Sequence, residues 1–374
     1  MSPPAPPLAL LLLALSSAAV AAGAPGRLLF RTWPYMNPAA REGLSFRALD
    51  LGATPPTLTT LATLPPPPAG ETEISLYTGG SALDAAAGLW YSSTVVGAGA
   101  GFPPGRAVLT VFDVVANKVA RRVNASTYCN SLFLDEGRLL CEAAAPWFWP
   151  PGAPQSNDDA ADLVESLLEI DAKSGEATFL ANFSESYVLS RGAPAFDAAT
   201  GLLYMHVAQG LSAGSEVWTV DARAMPPRVV ARAVGGAEPL QTFAVLPGAG
   251  APRAAVASHS ALLAIAFFKT QPPANYSLAL YTAAVAGASV VVTPVGGSSG
   301  GGNAYPAVSY TTAAAALSGD GTLLYAVGTS PARAPLLVSF DTRTGAVSEL
   351  LDLSVVCPDD PSPCVVGDLV WSSI

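Results

Sequence analysis

Carboxylates are the reactive side chains that this 374-residue chain holds in number: 28 Asp and Glu, against two His and four Cys. Paired carboxylates serve general acid–base chemistry or hold Ca²⁺ through oxygen. The densest group is Asp158, Asp159 and Asp162, followed by Glu165. It is a candidate Ca²⁺ site, although its spacing matches no EF-hand loop and a solvated acidic loop is the reading that the spacing favours. Nucleophilic catalysis finds little support. His206 lies within an apolar segment, His259 stands between two serines, and no Gly-x-Ser-x-Gly elbow accompanies either. The Gly-rich stretches at 97–101 and 296–302 do not lead from a strand into a helix, so they are loops and not phosphate cradles. No residue is assigned a catalytic role. No organic cofactor is expected, and Ca²⁺ is the one ion that the residues admit.

Aromatic side chains on proline-stiffened segments form the second candidate site. Trp33 and Tyr35 lie in Thr-Trp-Pro-Tyr-Met-Asn-Pro, Phe102 precedes two prolines, and Trp147, Phe148 and Trp149 are bracketed by Pro146 and Pro150. Rings presented this way stack on sugars or peptides at low entropic cost; the competing reading is that they fold down and cap their own strands. A formal charge of -10 excludes a nucleic-acid partner held by a basic surface. A protein or glycan ligand is the partner class that remains. The sequence is silent on oligomeric state.

The elements that must position these residues are strands. One recurring unit reads apolar segment, Asp, Gly, then an aromatic-bearing or apolar strand. It appears around Asp84, Asp135, Asp197 and Asp320. A second unit ends in an apolar-Asp step at Asp50, Asp113, Asp171, Asp221 and Asp341, with Tyr281 filling the same place. Successive markers are 63, 58, 50, 60 and 60 residues apart. Alternation within each unit has period two, and no convincing helical period occurs. Asp suits both turns, because its carboxylate bonds backbone two residues on. These nine aspartates are therefore read as turn residues on one rim, which leaves the long irregular loops on the other.

Four antiparallel strands per unit of about 58 residues predict an all-β β-propeller. The length accommodates six four-stranded blades, with seven as the alternative. Residues 27–33 read as a second strand without a first, and 366–371 as a first strand without a blade, so pairing them would close the ring. On that arrangement Asp368 faces the channel beside Glu142. The Phe-Asp-Thr-Arg-Thr-Gly step at 340–345 and the Asp/Gly-x-Leu-Tyr step resemble the YVTN and quinoprotein-dehydrogenase-like propeller repeats. That resemblance implies the fold and no activity.

Residues 1–22 read as a signal peptide, with an apolar run at 8–15 and small residues after it, ahead of a single domain over 23–374. The run is too short for a membrane span. Cys129 and Cys141 lie opposite each other across a predicted hairpin centred on Asp135, and Cys357 and Cys364 enclose a short proline-rich loop. Two disulfides are expected, with free buried thiols as the alternative. Asn124, Asn182 and Asn275 begin Asn-x-Ser sequons, the first two expected on the loop face. The function expected is a secreted, extracellular or secretory-lumen binding module working through its inter-blade loops. The alternatives are a channel-centred carboxylate- or Ca²⁺-dependent hydrolase or lyase, and a structural extracellular protein.

Overall fold

The computed structural model describes residues 26–34, 44–68, 71–74, 80–98, 105–145, 164–183, 189–190, 194–208, 215–234, 240–245, 262–269, 276–286, 288–296, 305–307, 315–329, 335–356 and 364–373. Period-two segments become strands throughout. In sheet I, β1 (Arg27–Pro34), β2 (Ser45–Asp50) and β3 (Thr57–Thr63) follow one another, and β27 (Cys364–Ser372) pairs antiparallel with β1 from the far end of the chain. Sheet II holds β4 (Glu71–Ile74) and β5 (Ser81–Asp84), which share the edge of β6 (Leu89–Ala98), then β7 (Arg106–Asp113) and β8 (Lys118–Ala125). Sheet III is β9 (Ser131–Asp135), β10 (Arg138–Ala145), β11 (Val164–Ile170) and β12 (Ala177–Asn182).

Sheet IV has ten strands. Its first half is β13 (Leu189–Ser190), β14 (Ala195–Asp197), β15 (Leu202–Ala208), β16 (Ser215–Asp221) and β17 (Arg228–Val234). The second half is β18 (Leu240–Val245), β19 (Leu262–Lys269), β20 (Tyr276–Ala286), β21 (Ser289–Pro294) and β22 (Tyr305–Ala307). Sheet V is β23 (Ala315–Leu317), β24 (Leu323–Thr329), β25 (Pro335–Asp341) and β26 (Val347–Asp352). A single 3-10 turn, Leu353–Val356, follows it. The described residues thus form five sheets, where the repeat spacing predicts six blades or seven. The difference lies in sheet IV, whose two four-stranded meanders are joined edge to edge by one parallel bridge, Val234 to Ser289.

Apolar clusters between successive strand groups hold the ring. Phe46, Trp90 and Phe112 join sheets I and II, with Phe46 stacked on Phe112 at 4.7 Å and edge-on to Trp90 at 5.1 Å. Leu140, Leu167, Met205 and Trp218 join sheets III and IV. The last joint, between sheets V and I, packs Tyr325 and Leu337 on Leu28, Phe30 and Leu49. There Trp371 stacks on Tyr325 at 5.6 Å, over Gly26 and Gly319. A Cβ on Gly26 would lie 2.1 Å from the Trp371 ring, so this indole fits only because position 26 has no side chain.

The outermost strand of each unit is the exposed one, as the patterns of β3, β8 and β12 show. Register shifts between Phe46/Arg47, Val111/Phe112, Leu167/Leu168, Thr219/Val220 and Leu337/Val338 put a bulge where the third strand meets this outer strand. Bulges bend an open edge away from flat pairing with another chain. Among the described residues, no helix is long and apolar enough to cross a membrane.

Candidate functional site

The two rims of the ring are built differently. One rim is made of short turns closed by aspartate. Asp50, Asp84, Asp113, Asp171, Asp197, Asp221, Asp320 and Asp341 each accept one or two backbone N–H bonds from residues two or three further on, at 2.7–3.1 Å. Eight of the nine aspartates therefore do the turn work expected of them. Asp135 does not. It is buried, and it accepts two bonds from Arg223 on the neighbouring unit, at 2.9 and 2.5 Å. Its own turn needs no carboxylate, because Glu136 and Gly137 adopt φ of 51° and 85°, the two-residue hairpin geometry. Gly201, at φ 75°, leaves space for the Arg223 stem, which a Cβ there would meet at 2.5 Å.

The opposite rim carries the connections between second and third strands. Residues 35–43, 99–104 and 146–163 leave this rim from three successive sheets, I, II and III. The sequence candidates belong to these connections or to the strand ends beside them. Trp33 is the penultimate residue of β1, with its backbone paired to Val365. Tyr35, Phe102, Trp147, Phe148, Trp149, Asp158, Asp159 and Asp162 lie outside the described residues. No group of three or more metal-type side chains occurs among the described residues.

Beneath this rim lies a polar layer that the sequence reading missed. Arg31, wholly buried on β1, forms an ion pair with Asp368 on β27. Its guanidinium also donates to the Ser92 hydroxyl and, at 3.4 Å, to the Ser93 carbonyl on sheet II. Burial lowers the Arg31 pKa to about 10, opposed by the fields of Tyr128 and Glu73, and it stays cationic at neutral pH. Asp368 sits where two residues of β27 face one of β1, with φ of 55°. Such a bulge re-aims a side chain, here onto Arg31. The expected partnership of Asp368 with Glu142 is thus replaced by an arginine. Beside this pair, buried Glu73 accepts from the Thr94 hydroxyl at 2.7 Å and from Arg122 at 2.5 Å. Cations and anions are matched, so this layer stitches sheet I to sheet II and fixes the stems of the first two connections. The available signal was parity: Arg31 shares the inward face of Leu29, which β-strand alternation assigns to the core.

A second polar group lies on sheet III. Glu142 and Glu165 are both buried, on one face of β10 and β11, where the 146–163 connection leaves. Burial pushes the Glu142 carboxyl above its ordinary range, opposed by the neighbouring polar side chains of Glu165, Asn130 and Ser131. On the other face, Cys129 and Cys141 form a buried disulfide with Cα atoms 5.3 Å apart. They are not directly opposite. The turn at Glu136–Gly137 centres the hairpin between these two residues and not on Asp135, so Cys141 faces Leu132 and Cys129 reaches it from the segment before β9. The Cys129 N–H donates to the Ser93 hydroxyl at 3.0 Å, tying this segment to sheet II. Cys357 lies outside the described residues, as does Asn275. Asn124 and Asn182 are exposed, and stand at the ends of the outermost strands β8 and β12, on the rim that bears the long connections.

The chain matches no protein-family profile and no curated protein sequence. Among solved structures it is similar to TolB from Acinetobacter baumannii, at 11% identity and a TM-score of 0.50, over 93% of this chain and 66% of that one. The fold is a β-propeller. A proposed 6-phosphogluconolactonase from Bacteroides uniformis aligns at 10% identity and a TM-score of 0.47, over 87% of this chain and 82% of that one. A Mycobacterium tuberculosis puromycin-hydrolysing peptidase aligns at 15% identity and 0.40, covering 86% and 45%. The chain therefore spans less than two thirds of the TolB chain and under half of the peptidase. Identities this low carry the propeller architecture alone, and propellers serve many functions.

Proposed function

We propose that this chain is a secreted β-propeller that binds a protein or glycan ligand through the rim bearing the 35–43, 99–104 and 146–163 connections. The observation that carries the reading is the asymmetry of the two rims. One is closed by aspartate-capped turns, whereas at the other the chain's long, aromatic, proline-rich connections begin and end on three successive sheets, at strand ends fixed by buried ion pairs and a disulfide. Function concentrates on loops held by a rigid scaffold. Trp33, Tyr35, Phe102, Trp147, Phe148 and Trp149 are the proposed contact residues. Asp158, Asp159 and Asp162 are retained as a proposed Ca²⁺ group within the same face. Removal of 1–22 as a signal peptide, a disulfide between Cys357 and Cys364, and glycans on Asn124, Asn182 and Asn275 belong to the same proposal. The buried Cys129–Cys141 disulfide supports an oxidising compartment.

The competing carboxylate or Ca²⁺-dependent enzyme needs free acids at the channel. Of its two channel candidates, Asp368 is engaged by Arg31 and Glu142 is buried with Glu165, which favours the binding reading. The deciding experiment compares the wild type with a Trp147→Ala/Trp149→Ala variant by glycan array and by capture of extracellular proteins. Loss of a wild-type ligand with unchanged thermal unfolding is expected. Full retention of binding refutes this placement of the site, and absence of any ligand for the wild type favours the structural role.

A further inference from the structure

Four consecutive prolines occupy 65–68, in the connection from β3 of sheet I to β4 of sheet II. This connection emerges on the rim assigned above to binding, and the inference rests on that reading. The cis peptides among the described residues are at Thr54–Pro55 and Met225–Pro226, so the four prolines are joined by trans bonds. Proline fixes φ near −65° and lacks an N–H, and a trans run therefore adopts the polyproline II helix, with three residues per turn. Pro65 and Pro68 then share one edge. The burial agrees: Pro65, Pro66 and Pro68 are exposed, and Pro67 is half-buried on the edge turned to the protein.

Both ends of the run are tied down. Leu64 is buried in the cluster between sheets I and II, and its N–H donates to the Leu44 carbonyl at 2.8 Å. At the other end the Glu71 N–H donates to the Pro68 carbonyl at 2.9 Å. The ordering cost that a free peptide meets on binding is thereby already met by the fold. No charged residue occurs between Asp50 and Glu71, so what the strip offers is pyrrolidine rings and carbonyl oxygens.

We propose that the 65–68 strip docks a protein whose groove of stacked Trp and Tyr rings reads the polyproline II conformation, with Pro65 and Pro68 as the inserted pair. Such grooves recognise a preformed PPII edge by ring stacking and hydrogen bonds to its carbonyls. The buried Leu64 side chain excludes readers that need the residue before the first proline as an anchor. The missing charge excludes those that need a neighbouring arginine.

The test titrates the full chain into an isotopically labelled WW domain that selects uninterrupted proline runs, with an arginine-requiring SH3 domain as control. The expected result is saturable shifts of the WW groove aromatics, unchanged between roughly 50 and 500 mM salt. A Pro65→Ala/Pro68→Ala variant with unaltered thermal unfolding is expected to bind about tenfold more weakly or worse. Displacement of the wild-type chain by free oligoproline gives the same answer without any variant. A silent WW groove, equal binding by the double variant, or affinity that falls with salt overturns the proposal. If the WW groove is silent while Trp147→Ala/Trp149→Ala still abolishes ligand capture, this inference alone fails. If WW binding holds while the tryptophan variant changes nothing, the aromatic placement fails instead.

Discussion

Replacing Arg31 with methionine tests the polar layer at its most demanding point. The side chains of Arg31 and Asp368 are both fully buried, so Arg31→Met strands an anion inside the joint between sheets I and II. A stranded carboxylate escapes by binding a proton, and that route caps the penalty. At pH 7, protonating an aspartate of ordinary pKa about 3.9 costs roughly 4 kcal/mol, and at pH 5 about 1.5 kcal/mol. The uncapped loss for a broken buried pair is of the same order, about 3–5 kcal/mol. With an unfolding entropy of about 2.1 cal/mol/K per residue over roughly 350 residues, these caps translate to Tm losses of about 5 °C at pH 7 and 2 °C at pH 5. Differential scanning calorimetry at the two pH values reads both. Adding Asp368→Asn to Arg31→Met removes the stranded charge and should abolish the pH dependence of the loss. An equal loss for Arg31→Met at both pH values would refute the reasoning. So would a double variant with the same pH dependence as the single one, since the penalty would then not be the carboxylate's.

Two other features give separate predictions. The raised pKa of Glu142 means that the folded chain holds a proton which the unfolded chain has released. Its stabilisation is full below about pH 4.5 and fades as pH rises through the raised value, so urea midpoints should show this component in the wild type and lose it in Glu142→Gln. The Cys129–Cys141 disulfide spans a sequence separation of 12. Closing a loop of that size is worth about 3 kcal/mol, so Cys129→Ala/Cys141→Ala should lower Tm by about 4 °C. No change in Tm would place the constraint elsewhere in the fold.

Local patterns were legible in the sequence because their causes are local. Segments 109–113 and 337–341 are legible as strands, although both are buried on each face and not half-buried, because each sheet packs between two neighbours, and an aspartate followed by a tight reversal marks its own cap. The pairing of β1 with β27 was legible for a different reason, since each end of the chain lacked the strand that the other supplied. The polar layer was not legible. Arg31 finds Ser92 61 residues away, and Glu73 finds Arg122 49 residues away, so no spacing rule connects them. Asp135 misled because its neighbours match the turn motif, whereas the decisive residue, Arg223, belongs to another unit. The count of six failed at sheet IV because a single bridge between β17 and β21 joins two repeats that look separate in sequence.

The pairing of β1 with β27 also sets a hazard. Residues roughly 340 positions apart must meet before sheet I is whole, and closing so long a loop is slow and entropically costly. Until then β1 shows an unpaired edge that any second copy's β27 fits as well as its own. The register, the Arg31–Asp368 pair and the Trp371 socket over Gly26 are identical in such an exchange. Concentrated refolding should therefore yield strand-swapped dimers that bury the same contacts as the monomer, and dilution should suppress them. The strand that completes the ring is also the one it can lend.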